Sequence, residues 1–240
     1  VVELAALLHN SKRIPCVAGL VEMERVDGRM KSAMNTIVLF ENGINSIPSN
    51  WTFWPNRAIA WTHQNTPYKA QSLEYLAGAV LGHFRHKSLA NQFADLLRTY
   101  SVQDWEIIIV AHSNGTRIVV EGMAAAGWPK VKAVHLVCGA CDADFSRTNL
   151  NGALTLGRIG SVHCYMAGKD KAMRIEDNVF GKWLFGIRTK DKPLGLVGPQ
   201  NVTQSLLVSG RVTSTPWPDY GHSDCWLPDN FDKTMRQFLP

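Results

Sequence analysis

A chain of 240 residues, 45% hydrophobic and 19% charged, is long enough for one large domain with its own core. The formal net charge is only +5 with no Lys/Arg run of five or more, which argues against a nucleic-acid partner. No apolar run reaches the ~18 residues that span a bilayer, and five scattered cysteines do not make a disulfide framework. Because the chain begins at Val1 rather than Met, targeting is not read from it.

In chain order, a short helix is expected first, then an apolar strand "IPCVAGLVEM" (14–23) and a turn at Asp27-Gly28. "NTIVLF" (35–40) and "AIAW" (58–61) read as short buried strands. Leu73, Leu76, Ala77, Val80, Leu81 and Phe84 fall at helical spacing, and Leu89, Phe93, Leu96 and Leu97 continue it after a break near Ser88. "WEIIIVA" (105–111) is the strongest strand, followed by a helix over about 116–126 that Gly127 and Pro129 stop. "KAVHLVC" (132–138), "SVHCYMAG" (161–168) and a weaker "RVTST" (211–215) complete the strands. Strands alternating with helices predict a mostly parallel α/β sheet in a single domain over 1–240.

The central strand runs into Ala111-His112-Ser113-Asn114-Gly115 and then a helix. A strand-to-helix turn that tight forces its apex into strained backbone, and bulk two positions either side would collide. Small residues stand at both positions, the requirement for a nucleophile elbow with alanine in the first place. The helix N-terminus then aims free N–H groups at any oxyanion formed on attack. Ser113 as a simple helix cap is the competing reading. The glycosylation sequon Asn114-Gly115-Thr116 overlaps this turn, and an elbow would bury it.

A serine hydroxyl needs a base, and the base needs an orienting group. Downstream histidines are His135, His163 and His222; the first two lie in apolar strands, whereas His222 follows the last strand in "WPDYGHSDCW". Asp170, in "AGKDK" straight after strand 161–168, is the best-placed acid. Asp142 and Asp144 are the runners-up, with Asp219 and Asp224 close to His222 in sequence. "VLFENGINS" supplies Asn42-Gly43-Ile44 after the first parallel strand, where the N–H of Ile44 would join that of Asn114 as an oxyanion donor. Trp51, Phe53, Trp54, Trp217 and Trp226 are expected either to wall an apolar pocket or to be ordinary core aromatics.

The Ala-His-Ser-Asn-Gly elbow, Asn42-Gly43-Ile44, the "GKD" acid turn and the "YGH" loop together resemble the α/β-hydrolase superfamily over roughly 36–226. The resemblance implies a three-layer fold, a mostly parallel sheet with helices on both faces and a small or minimal lid. It also implies chain order serine, acid, histidine, an acyl-enzyme route with Ser113, Asp170 and His222, and no cofactor. Glu41-Asn42 departs from the usual apolar-His pair, and the long stretch from Asp170 to His222 predicts a short helical insertion about 172–205, near "VFGKWLFG". Esters of small molecules are the expected substrates, with amides, thioesters or a catalytically inactive binding member as alternatives on the same fold. Cys138 and Cys141 form a lone C-x-x-C, and His83 and His86 lack further ligands, so no metal site is expected.

Overall fold

The computed structural model describes residues 23–26, 29–32, 35–43, 54–73, 79–176 and 192–239. By compactness the chain divides into two units, Val1–Met34 and Asn35–Pro240. The first contains an antiparallel hairpin of β1 (Met23–Val26) and β2 (Arg29–Ser32), with Val26 opposite Arg29. Asp27 and Gly28 themselves lie outside the described residues, as do the expected first helix and all of the expected strand 14–23 except Met23.

The second unit is built on six parallel strands in the order β4-β3-β5-β6-β7-β8. In chain order its elements are β3 (Thr36–Glu41), α1 (Trp54–Asn65), β4 (Lys69–Ser72), α2 (Ala79–Val102), β5 (Glu106–His112) and α3 (Gly115–Ala125). Then come β6 (Val131–Val137), α4 (Leu150–Thr155), β7 (Ile159–Ala167), α5 (Lys171–Glu176), α6 (Leu194–Val197), α7 (Gln204–Val208), β8 (Val212–Trp217) and α8 (Pro228–Phe238). Strand side chains alternate between faces. Ile37, Leu39, Ile107 and Ile109 pack with Phe93 and Leu97 of α2 and Ile118 and Met123 of α3. Val38, Phe40, Ile108 and Val110 pack with Trp54 and Ala58 of α1 and Phe231 and Met235 of α8. The unit is therefore a three-layer sandwich with helices on both faces. Among the described residues no helix is long and apolar enough to cross a membrane.

The strand order fixes where a ligand can enter. From β3 the chain moves outward to β4, then returns to lay β5 on the other side of β3, after which each new strand adds outward. Such a reversal leaves a crevice beyond the carboxyl ends of the two strands concerned, here β3 and β5. Those ends carry Asn42-Gly43 and Ser113.

Four features of the fold differ from the sequence-based expectations. The run 58–61 is helical, part of α1, whose Trp54, Ala58 and Thr62 are buried four apart. A four-residue apolar run has no period of its own, and Pro55 in the first turn was the better signal. Helix α2 continues unbroken through Ser88. Strand β4 is short and polar at the sheet edge, and α8 was missed although Phe231, Thr234, Met235 and Phe238 are buried at helical spacing. Of the expected insertion, α5, α6 and the start of α7 fall inside 172–205, while 177–191 with "VFGKWLFG" lies outside the described residues.

His135 and His163 face each other across β6 and β7 as stacked rings 4.8 Å apart. His135 also shares a 3.1 Å hydrogen bond with the Tyr165 hydroxyl and rests on Phe238 of α8. Burial first, then the neighbouring His163, brings its pKa down from 6.5 to about 3. The unfolded chain takes up this proton below about pH 6.5 and the folded one does not, so stability falls as pH drops from 6.5 towards 3. The contribution is about 1.4 kcal/mol per pH unit at most. Chemical denaturation of the wild type and His135→Phe at pH 7.5 and 5.5 checks this: the wild type should lose about 1 kcal/mol more than the variant over that interval.

Candidate active site

The elbow is held by close approaches that admit no side chains. Ser113 follows β5 with φ of +56°. That left-handed conformation costs a non-glycine residue about 1–3 kcal/mol, so the surroundings must impose it. Its N–H donates to Val137 at 3.0 Å, and its carbonyl accepts from the Thr116 amide, the Thr116 hydroxyl and the Ala140 amide at 3.1, 2.7 and 3.1 Å. A methyl on Gly115 would stand 2.4 Å from the Asn42 carbonyl oxygen and 2.7 Å from that of Glu41. A methyl on Gly43 would stand 2.7 Å from the Ser113 Cβ and 3.0 Å from its Oγ. The β3 loop and the elbow thus interlock through two glycines. Ser113 does not cap the helix: α3 opens at Gly115 behind Asn114, and no side-chain cap bond is made there.

The Ser113 hydroxyl lies 2.8 Å from His222 Nε2, and His222 Nδ1 lies 2.8 Å from Asp170 Oδ2. A carboxylate only accepts, so Nδ1 carries the hydrogen and Nε2 presents its lone pair to the serine O–H. The second Asp170 oxygen accepts the Met173 amide at 2.9 Å, which sets the carboxylate at the start of α5. Asp170 is fully buried, Ser113 nearly so, and the His222 side chain is 21% exposed. One end of the chain of hydrogen bonds is therefore dry and the other meets the crevice.

Asp170 and His222 are far apart in sequence and meet because the loops after β7 and β8 are stitched together. The Gly168 amide donates to Trp217 and that of Lys169 to Tyr220, each at 2.9 Å. A Cβ on Gly168 would lie 2.5 Å from the Pro218 carbonyl oxygen, so only glycine permits that approach. Asp224 is used inside the histidine loop, where Oδ2 accepts the Gly221 amide at 2.7 Å. Asp219 pairs with Lys169 on the surface. Asp142 and Asp144 lie in another knot: Asp144 accepts from Ser146 and Asn201, and Asp142 from the Asp144 amide. Asp170 is thus the aspartate within hydrogen-bond distance of the His222 ring.

A reversed strand order, a serine at positive φ on the sheet's C-terminal edge and a helix straight behind it make up a known architecture. The fold is that of the α/β hydrolases. The chain is similar to several solved structures. An uncharacterized protein from Bacillus cereus is 12% identical over 98% of this chain, with a TM-score of 0.52. This chain spans 65% of that protein's length. A putative α/β-superfamily hydrolase from Xanthomonas campestris (10% identical, 85% of this chain and 96% of its own covered) has a TM-score of 0.48. An esterase from Pyrococcus furiosus (11% identical, 88% and 83% covered) also has a TM-score of 0.48. No family model and no curated protein matches the sequence.

Within the α/β-hydrolase fold the other expected residues divide. Asn114 is buried at the amino end of α3, where backbone N–H groups have no carbonyl within the helix, so the sequon is closed to glycosylation. The point 3.0 Å from Ser113 Oγ where a Gly43 methyl would stand is also 3.4 Å from the Asn114 nitrogen. Asn42 is buried beneath it. Ile44 and Trp51 lie outside the described residues. Trp54 and Trp217, expected either as pocket walls or as core aromatics, are both buried. Trp54 stacks flat on Trp226 at 3.9 Å and meets Phe40 edge-on, and Trp217 packs against Tyr165 and Tyr220. Both rings sit among apolar core side chains of the α1/α8 face.

The C-x-x-C thiols are buried and free; burial pushes Cys138 strongly up and Cys141 up to about 12. Such thiols are inert rather than redox-active. His112, Cys138 and His222 bring one donor atom each within 4.8 Å of one another. These donors are poor metal ligands as they stand, since the thiol is held protonated and both imidazoles are hydrogen-bonded. His112 itself was not singled out from the sequence, because the elbow pattern leaves its position free.

Gly43→Ala should place a methyl over Ser113 and close the space beside the Asn114 amide. Labelling of Ser113 by a fluorophosphonate probe should fall at least about 100-fold, on the scale of losing one oxyanion donor, with an unchanged far-ultraviolet circular dichroism spectrum.

Proposed function

We propose that this chain is a serine hydrolase that cleaves carboxylic esters through an acyl-enzyme. The observation that carries the reading is the unbroken hydrogen-bond chain from Ser113 through His222 to Asp170, ending in the crevice at the strand-order reversal. As the Ser113 oxygen attacks the substrate carbonyl, its proton passes to His222 Nε2 and the carbonyl π pair moves onto oxygen. Asp170 holds the tautomer and stabilises the imidazolium. The oxyanion develops beside the Asn114 amide, and an N–H of the Asn42-Gly43-Ile44 loop is the second donor; each is worth about 3 kcal/mol of barrier.

Collapse of the tetrahedral intermediate breaks the bond to the leaving alkoxide, which takes the proton from His222. Water then attacks the acyl-serine and gives its proton to His222; the bond to Ser113 Oγ breaks, the carboxylic acid leaves, and the serine takes the proton back from His222. An ester asks least of this arrangement, because an alkoxide leaves more readily than an amide anion. No step calls on a cofactor. The ligand is a small-molecule ester rather than a nucleic acid, given the absence of a basic run.

Short-chain p-nitrophenyl esters test the reading directly. The wild type should turn them over and hydrolyse the corresponding anilide far more slowly. Ser113→Ala should lose at least about 10⁴-fold in kcat and all fluorophosphonate labelling. Asp170→Asn should cost about 10⁴-fold with the fold retained, while Asp142→Asn and Asp144→Asn keep near-normal kcat. Turnover surviving in Ser113→Ala, or a loss in Asp144→Asn matching that in Asp170→Asn, would refute it.

A further inference from the structure

The elbow motif leaves the residue before the serine unspecified, and here it is histidine. His112 ends β5 on the same side of the strand as Ile108 and Val110, so its ring enters the α1/α8 layer rather than the crevice. There it stands edge-on to Trp54 and Trp226, with centroids 6.3 and 5.6 Å away and interplanar angles of 82° and 88°. Its other neighbour is His222, whose ring centroid is 4.8 Å away.

The polar contact is specific. His112 Nε2 lies 2.8 Å from the main-chain carbonyl oxygen of His222. A carbonyl accepts only, so Nε2 carries the hydrogen and His112 is the donor. The ring is 6% exposed, and burial, with His222 beside it, brings its pKa down from 6.5 to about 3. At neutral pH it is therefore uncharged, and it adds no cation next to an imidazolium forming on His222.

We propose that His112 is a positioning residue that holds the backbone of the reactive histidine, the N–H of its ring fixing His222 at its own carbonyl while Asp170 fixes the imidazole. This rests on the reading of Ser113, His222 and Asp170 as the reacting set. The two restraints act on different parts of one residue. Asp170 controls the tautomer and direction of the ring, and His112 controls where the Cα stands. A ring correctly oriented from a Cα displaced by about 1 Å would miss the serine proton, and misplacement on that scale costs about 100-fold in rate. Two adjacent residues thus serve both halves of the reaction: Ser113 attacks from one face of the β5 end and His112 braces the base from the other.

The decisive comparison separates the N–H from the ring. His112→Phe keeps an aromatic edge against Trp54 and Trp226 and removes the donor, whereas His112→Gln keeps a donor at similar reach and removes the ring. With a p-nitrophenyl butyrate assay, His112→Phe should lose about 10- to 100-fold in kcat with KM within twofold, and His112→Gln should recover to within about fivefold of wild type. Melting curves on the same samples show what fraction is folded. Unchanged kcat in His112→Phe, or a loss in His112→Gln equal to that in His112→Phe, overturns the proposal. Should His112→Phe not fold, nitrogen-15 NMR of the wild type decides: an Nε2–H of His112 protected from exchange supports the proposal and its absence overturns it. Ser113→Ala run alongside separates the two ideas. A dead Ser113→Ala with an unimpaired His112→Phe removes this role alone, and an active Ser113→Ala removes the hydrolase reading with it.

Discussion

The positive φ of Ser113 is the constraint to which the rest of the site answers. An L-residue takes that conformation only when the surrounding contacts repay about 1–3 kcal/mol, and here they are backbone contacts between two parallel strands' ends. The carbonyls of Glu41 and Asn42 press on Gly115, and Gly43 presses on Ser113. Three hydrogen bonds then converge on the Ser113 carbonyl from α3 and the loop after β6. Each of these segments comes from a different part of the chain. The strained serine therefore exists only in the assembled sheet, and no local segment could hold it alone.

Strand order does the rest of the assembly. Because β3 and β5 are neighbours with β4 outside them, the glycine loop and the elbow share one crevice. Because β6, β7 and β8 follow outward in sequence order, the acid and histidine loops stand side by side on the same edge. Backbone bonds from Gly168 and Lys169 to the β8 loop close the remaining gap. Asp170 has both carboxylate oxygens engaged, one by the His222 ring and one by a helix amide.

Much of this could be read from the chain, and what could not be read has definite causes. Strands β3, β5, β6 and β7 are apolar runs buried on both faces, and their alternation with helices carried the parallel sheet. The small residues around Ser113 were legible because an elbow forbids bulk there. The order of Ser113, Asp170 and His222 is what the resemblance to the α/β hydrolases implies. The run 58–61 misled because four apolar residues have no measurable period. Strand β4 was invisible because an edge strand such as Lys69–Ser72 carries polar side chains. The tryptophans were ambiguous for another reason: an aromatic near a site motif suits a pocket wall and a core layer equally. The flat stacking of Trp54 on Trp226 and the packing of Trp217 against Tyr165 and Tyr220 show where these three rings lie.

His112 was illegible for the deepest reason. Its partner is a main-chain carbonyl 110 residues away, and a backbone acceptor leaves no trace in residue identity. Side-chain pairs such as His222 with Asp170 leave two polar letters to be matched, whereas a side chain bonded to backbone leaves one. That lone letter sits at one of the two elbow positions the turn geometry does not constrain. A buried imidazole there would be costly without an acceptor, since an unsatisfied buried N–H costs about 1–3 kcal/mol. The fold supplies that acceptor in the backbone of the histidine that stands over the serine. A polar residue that the motif leaves unspecified is thereby tied, through the tertiary structure, to the histidine hydrogen-bonded to Ser113.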